Sequence, residues 1–141
     1  MKYLNLSVMI LLLSGCATTA VYDPLRAATQ QVLLLNESSL KNIKEGMTQD
    51  NVHDVMGQEI VIGYTKQSAG YKPLTIPNPY KVEQVETLQG TYTVEYYVRI
   101  VRQPDGVITD DELMPLVFKD SKLIGRDWSF VKSIRPAQPS A

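Results

Sequence analysis

Residues 43–57, Ile-Lys-Glu-Gly-Met-Thr-Gln-Asp-Asn-Val-His-Asp-Val-Met-Gly, constrain the fold more than any other stretch, because they encode a turn, a short helix and its stop in succession. Gly46 permits the turn at low steric cost, Thr48 supplies an N-cap hydroxyl, and Asp50 falls in the first turn, where the helix dipole favours a carboxylate. Met47 and Val52 have hydrophobic-staple spacing. Val52, Val55 and Met56 form an i, i+3, i+4 apolar stripe, and Gly57 marks the C-terminal stop. The expected helix is short and one-sided.

The strongest strand pattern covers residues 91–102. Tyr92, Val94, Tyr96, Val98 and Ile100 alternate with Thr93, Glu95, Tyr97, Arg99 and Val101, which predicts one face in the core and the other in water. A shorter strand is expected over 59–65, carrying Ile60, Val61, Ile62 and Tyr64. A last hairpin is expected from 116–119 and 122–130 across Asp120-Ser121, with Ile124, Trp128 and Phe130 assigned to the core. Pro104-Asp105-Gly106 turns the chain, and Thr109 with Glu112 has the spacing of a capping box over one helical turn.

Upstream, Asp23-Pro24 suits an N-cap and first position of a helix, with Leu25, Ala28, Val32 and Leu35 at helical spacing. A further turn or two over 37–44 would carry Leu40 and Ile43 toward the Val52, Val55, Met56 stripe, so that two short helices meet at Gly46. These patterns predict an α+β fold: two or three short helices packed on one face of a three- or four-stranded antiparallel sheet.

Residues 66–90 contain Pro73, Pro77 and Pro79 and read as a long irregular segment of Pro-induced extended chain, with regular strand only over 82–88. Irregular segments of that length are uncommon in compact domains and are usually either functional or disordered, and a third reading has Tyr80 and its neighbours covering the sheet edge beside residues 91–102. Tyr71, Ile76 and Tyr80 are assigned to a partner-binding surface, since aromatic residues offer large contact area and the prolines limit the entropy lost on ordering.

Composition narrows the chemistry. A net charge of -1 with 44% hydrophobic and 21% charged residues describes one ordinary globular domain without a basic stripe, so no nucleic-acid partner is expected. One Cys excludes an internal disulfide, and one Cys with one His excludes a Cys/His zinc cluster. Asp105, Asp110, Asp111 and Glu112 do not follow the order of an EF-hand loop. No metal or cofactor is expected. Ser38-Ser39-Leu40-Lys41 and Ser129-Phe130-Val131-Lys132 both match Ser-x-x-Lys, but the companion elements of that chemistry are missing. His53, the lone imidazole, is read as a solvated or half-buried structural residue, and no catalytic residue is assigned.

Lys2 and the apolar run 4–13 form a signal-peptide pattern, too short to span a bilayer. The run ends in Leu13-Ser14-Gly15-Cys16, which resembles the bacterial lipobox. The expected organisation is a signal peptide over 1–15, a lipid-anchored tether over 16–22 starting at an acylated Cys16, a folded domain over 23–132 and a flexible tail over 133–141. Each buried methylene of an acyl chain contributes about 0.8 kcal/mol, and more than one chain gives stable membrane anchoring. Ala17 rather than Asp after the Cys implies, under sorting of the enterobacterial type, the periplasmic side of the outer membrane.

Gly46-Met47-Thr48, Val52 four residues after the Thr, and the closing Met56-Gly57 resemble the SmpA/OmlA family, the small lipoprotein subunit of the outer-membrane β-barrel assembly machinery and its relatives. Related lipoproteins with the same helix signature and a longer middle fit the pattern as well. The resemblance implies a helix-plus-sheet domain acting as a protein-binding or scaffold module in the cell envelope, with the β-barrel assembly machinery as partner. The β-lactamase-inhibitor protein shares this layout, so a periplasmic inhibitor or ligand-binding module is the alternative, ahead of a hydrolase.

Overall fold

The computed structural model describes residues 23–102 and 107–135. The expected signal peptide, Cys16, the tether, the 104–106 turn and residues 136–141 lie outside them. The elements run α1 (Pro24–Asn42), α2 (Gln49–Met56), β1 (Glu59–Gln67), β2 (Gly70–Pro77), β3 (Lys81–Thr87), β4 (Gly90–Val98), a 3-10 turn (Asp110–Glu112), β5 (Leu113–Lys119), β6 (Lys122–Arg126) and α3 (Asp127–Ile134). Strands β3-β4-β5-β6 form an antiparallel sheet in sequence order, and β1 and β2 form a separate hairpin. The α+β class holds.

The α2 unit forms as its sequence dictates. Thr48 caps it by accepting from Asn51 N–H at 3.2 Å, and Gly57 ends it at φ +73°. Val52 and Met56 are buried, but Val55 is 41% exposed, so the stripe is two residues wide rather than three. An isolated helix of this length is marginal in water. Burial of Val52 and Met56, at about 1.5–3 kcal/mol each, is what holds it folded.

Upstream there is one helix where two short pieces were expected. α1 runs unbroken through Glu37, because residues 32–40 offer no glycine or proline to interrupt it. Asp23 caps α1 by accepting from Leu25 N–H at 3.0 Å. Arg126 donates to the carbonyls of Leu40 and Ile43 and so closes the other end. The core-facing residues of the first half are Val32 and Leu33, whereas Ala28 and Leu35 of the expected stripe are exposed.

The largest correction concerns the first part of 66–90: residues 70–77 form strand β2 rather than irregular chain, whereas the strand expected over 82–88 is present as β3. β1 pairs with β2 from Glu59↔Pro77 to Gln67↔Gly70, with Ile62 bulged out of register. Proline tolerates this position because β2 has a neighbour on one side only. Ile60, Ile62, Leu74 and Ile76 turn one face of the hairpin into the core.

Strand β4 is central and buried on both faces. Tyr92, Val94, Tyr96 and Val98 join Ile60, Ile62, Val117 and Val131 in one cluster; Tyr97 joins Leu40, Ile43, Val52, Met56, Leu116, Phe118 and Leu123 in another. The face assigned to water is therefore covered by α2. The final hairpin turns at Asp120 and Ser121 with φ +50° and +60°. β6 stops at Arg126, so Trp128 and Phe130 sit on α3, still packed against the first cluster beside Ile124. Phe130 lies over Gly125, where any Cβ would meet the ring at 2.5 Å. α3 runs past the expected domain end at 132 to Ile134, which packs against the same cluster, so the expected boundary falls inside this helix.

Candidate functional site

The most unusual group in the molecule is the Glu95 carboxylate, on the face of β4 that the alternation assigned to water and only 1% exposed. A buried carboxylate requires donors. Gln49 Nε2 donates to Oε1 at 2.6 Å, Tyr97 Oη to Oε2 at 2.7 Å, and His53 Nε2 lies 2.8 Å from Oε1 and 3.0 Å from Oε2. Gln49 and His53 are one helical turn apart on α2, beside Val52, so the register that buries Val52 also lays both side chains over Glu95. Burial and its hydrogen bond to Glu95 push the Tyr97 hydroxyl far above the ordinary tyrosine range.

Beside this cluster a cleft of about 200 Å³ is lined by His53, Gly57, Gln58, Pro77, Asn78 and Pro79. Buried Asn78 donates through Nδ2 to Met56 O at 2.8 Å and to Asn36 Oδ1 at 3.3 Å, while Asn36 donates to Val98 O. These two amides join α1, the end of α2, the β2–β3 connection and the end of β4. The Oδ1 of Asn78 has no partner among the described residues.

The chemistry available here is narrow. Against an ionised Glu95 the His53 Nε2 is the donor. No hydroxyl or thiol is hydrogen-bonded to His53, so the dyad lacks an aligned nucleophile among the described residues. Nor do the described residues contain a cluster of three His, Cys, Asp or Glu side chains placed to hold a metal ion. Glu112 has a purely local task. Burial opposes its ionisation, but the backbone N–H groups of Arg102 and Thr109, at 2.5 and 2.8 Å, hold its carboxyl below the usual range, within the expected capping box.

The three residues assigned to a partner surface do not form one patch. Ile76 and Tyr80 are half-buried against the core, while Tyr71 is 57% exposed toward the far end of the β1–β2 hairpin. On a regular strand, positions 71 and 76 face opposite sides. Cys16 lies outside the described residues. The Glu95 cluster is not legible from alternation in β4, which separates two faces without saying what covers either. The available signal was the polar pair Gln49 and His53, four apart on the same helix as Val52 and Met56.

Comparison of the chain with protein-family models, with curated proteins and with solved structures finds no match.

Proposed function

We propose that this chain is a lipid-anchored, protein-binding module on the periplasmic side of the outer membrane, acting as a scaffold in cell-envelope or β-barrel assembly. The observation that carries the reading is Leu13-Ser14-Gly15-Cys16 set seven residues ahead of the α1 cap Asp23. Seven residues reach at most about 25 Å, so an acylated Cys16 holds the domain against the membrane surface. Such a tether serves a protein whose task is to be present at a surface.

Binding is favoured over catalysis by the use the chain makes of its polar groups. Glu95, His53, Tyr97 and Gln49 satisfy one another and dock α2 on the sheet. The test is a photoreactive residue placed in turn at exposed Tyr71, Val82 and Leu34, followed by irradiation of intact cells and membrane fractionation. The expected result is a chain found in the outer-membrane fraction and crosslinked to one discrete envelope protein. A soluble chain, or no protein adduct at any position, contradicts the proposal.

A further inference from the structure

We propose that the groove between α1 and residues 99–102 is the docking site for an acidic, apolar segment of a protein partner. This rests on the protein-binding reading and names the partner's chemistry. Two clefts, of about 500 and 350 Å³, share Gln30, Leu33 and Val101 and so form one continuous groove along α1. It extends from Asp23 to Glu37, about 21 Å of helix.

The groove is mixed in character; its apolar part comes from Leu33 and Leu34, within the run Val32-Leu33-Leu34-Leu35, together with Leu25, Ile62, Ile100 and Val101. A helix turns 100° per residue, so four consecutive apolar side chains cannot all face one core. Val32 and Leu33 pack inward, and Leu34 and Leu35 remain 64% exposed. Leu33 and Val101 line both clefts, and Leu34 and Ile100 line the second. Leu34, exposed and lining the second cleft, extends the apolar part of the groove toward solvent, and an exposed apolar side chain continuous with a groove marks an interaction surface more readily than a scattered one.

The charge of the groove selects the partner. Its acids are already engaged: Asp23 caps α1, and Glu37 pairs with Lys41 at 3.2 Å. Arg102 pairs with Asp111 at 2.9 Å. Arg26 and Arg99 also line the groove, and neither makes an ion pair with a described residue. Two guanidiniums without an ion-pair partner among the described residues, beside the apolar side chains of the groove, are complementary to carboxylates interleaved with apolar side chains.

The test uses the full lipidated chain in zwitterionic nanodiscs with two fluorescent probes, a seven-residue peptide alternating Glu and Leu and its counterpart alternating Lys and Leu. The Glu peptide is expected to bind and the Lys peptide not to. Arg26→Glu with Arg99→Glu should weaken the Glu peptide about tenfold or more, and admit the Lys peptide, at an unchanged melting temperature. Leu34→Asp, at an exposed position, should weaken it too. Absence of binding, or binding indifferent to these variants, overturns the proposal. So does displacement of the peptide by anionic nanodiscs, which would assign the groove to lipid headgroups. If cellular crosslinks persist in the double-arginine variant while the peptide fails, the groove is wrong and the scaffold reading stands. If the peptide binds but no cellular crosslink forms, the scaffold reading fails and the groove stands.

Discussion

The two faces of β4 are built on different principles. On one, Val94, Tyr96 and Val98 enter a broad apolar cluster assembled from the β1–β2 hairpin, α1, α3 and the sheet; its charges lie at the rim, where Tyr96 Oη meets Glu83 at 2.8 Å and Arg135 at 3.2 Å. On the other, Tyr97 and the neighbouring Glu95 lie under an eight-residue helix that contributes two buried apolar side chains and two hydrogen-bonding ones. The first face is held by area, which is non-directional. The second is held by area together with a fixed set of donors around one carboxylate, and that set specifies where α2 must sit. A short helix with little surface to bury gains its placement from directional contacts.

Val52→Asp should have the largest effect on the α2 face of β4. A carboxylate at a fully buried position without donors should cost about 4 kcal/mol or more and leave the domain unfolded, as read by circular dichroism during thermal melting. A cooperative, near-native melt would show that α2 is not integral to the fold.

The next effect sharpens the contrast between faces. Glu95→Ala strands Gln49, His53 and Tyr97 and should cost about 2–3 kcal/mol, whereas Glu83→Ala, which removes a partly exposed ion pair with Arg135, should cost about 1 kcal/mol or less. Urea denaturation of both variants checks it. Equal losses would mean that Glu95 is no more than a packed side chain.

Smaller still are the tyrosine hydroxyls. Tyr97→Phe, which removes a donor to a buried carboxylate, should cost about 1.5 kcal/mol, and Tyr96→Phe about half as much. Burial, together with the nearby Glu83, pushes the Tyr96 hydroxyl up to about 12. A raised value means that the folded state keeps a proton the unfolded chain loses, so stability is fully present below about pH 10 and falls as pH rises toward 12. Tyr96→Phe should lessen that alkaline decline while the share due to Tyr97 remains, and an unchanged profile in the variant would contradict this assignment.

The α2 unit was legible in the sequence because every signal in it is local: cap, stripe and stop lie within fifteen residues and need no partner to be recognised. The Thr109–Glu112 box and the turn at Asp120-Ser121 were legible for the same reason. Strand β2 was not, since Pro73 and Pro77 contradict a strand until its one-sided pairing with β1 is known. Alternation in β4 correctly separated Tyr92, Val94, Tyr96 and Val98 from Glu95 and Tyr97. It could not say that a helix covers the second face, because period-2 patterning reports which residues share a side and carries no information about what lies there. The Glu95 cluster depends on a contact between residues 42 positions apart, and only the folded chain brings these together.

Intact-mass and tandem mass spectrometry of the mature chain from native membranes decides whether the domain is lipid-anchored through Cys16. The expected species begins at Cys16, with a diacylglyceryl group on its sulfur and an amide-linked acyl chain at its N-terminus. A mature chain beginning at another residue, or Cys16 recovered as an unmodified thiol, would contradict it.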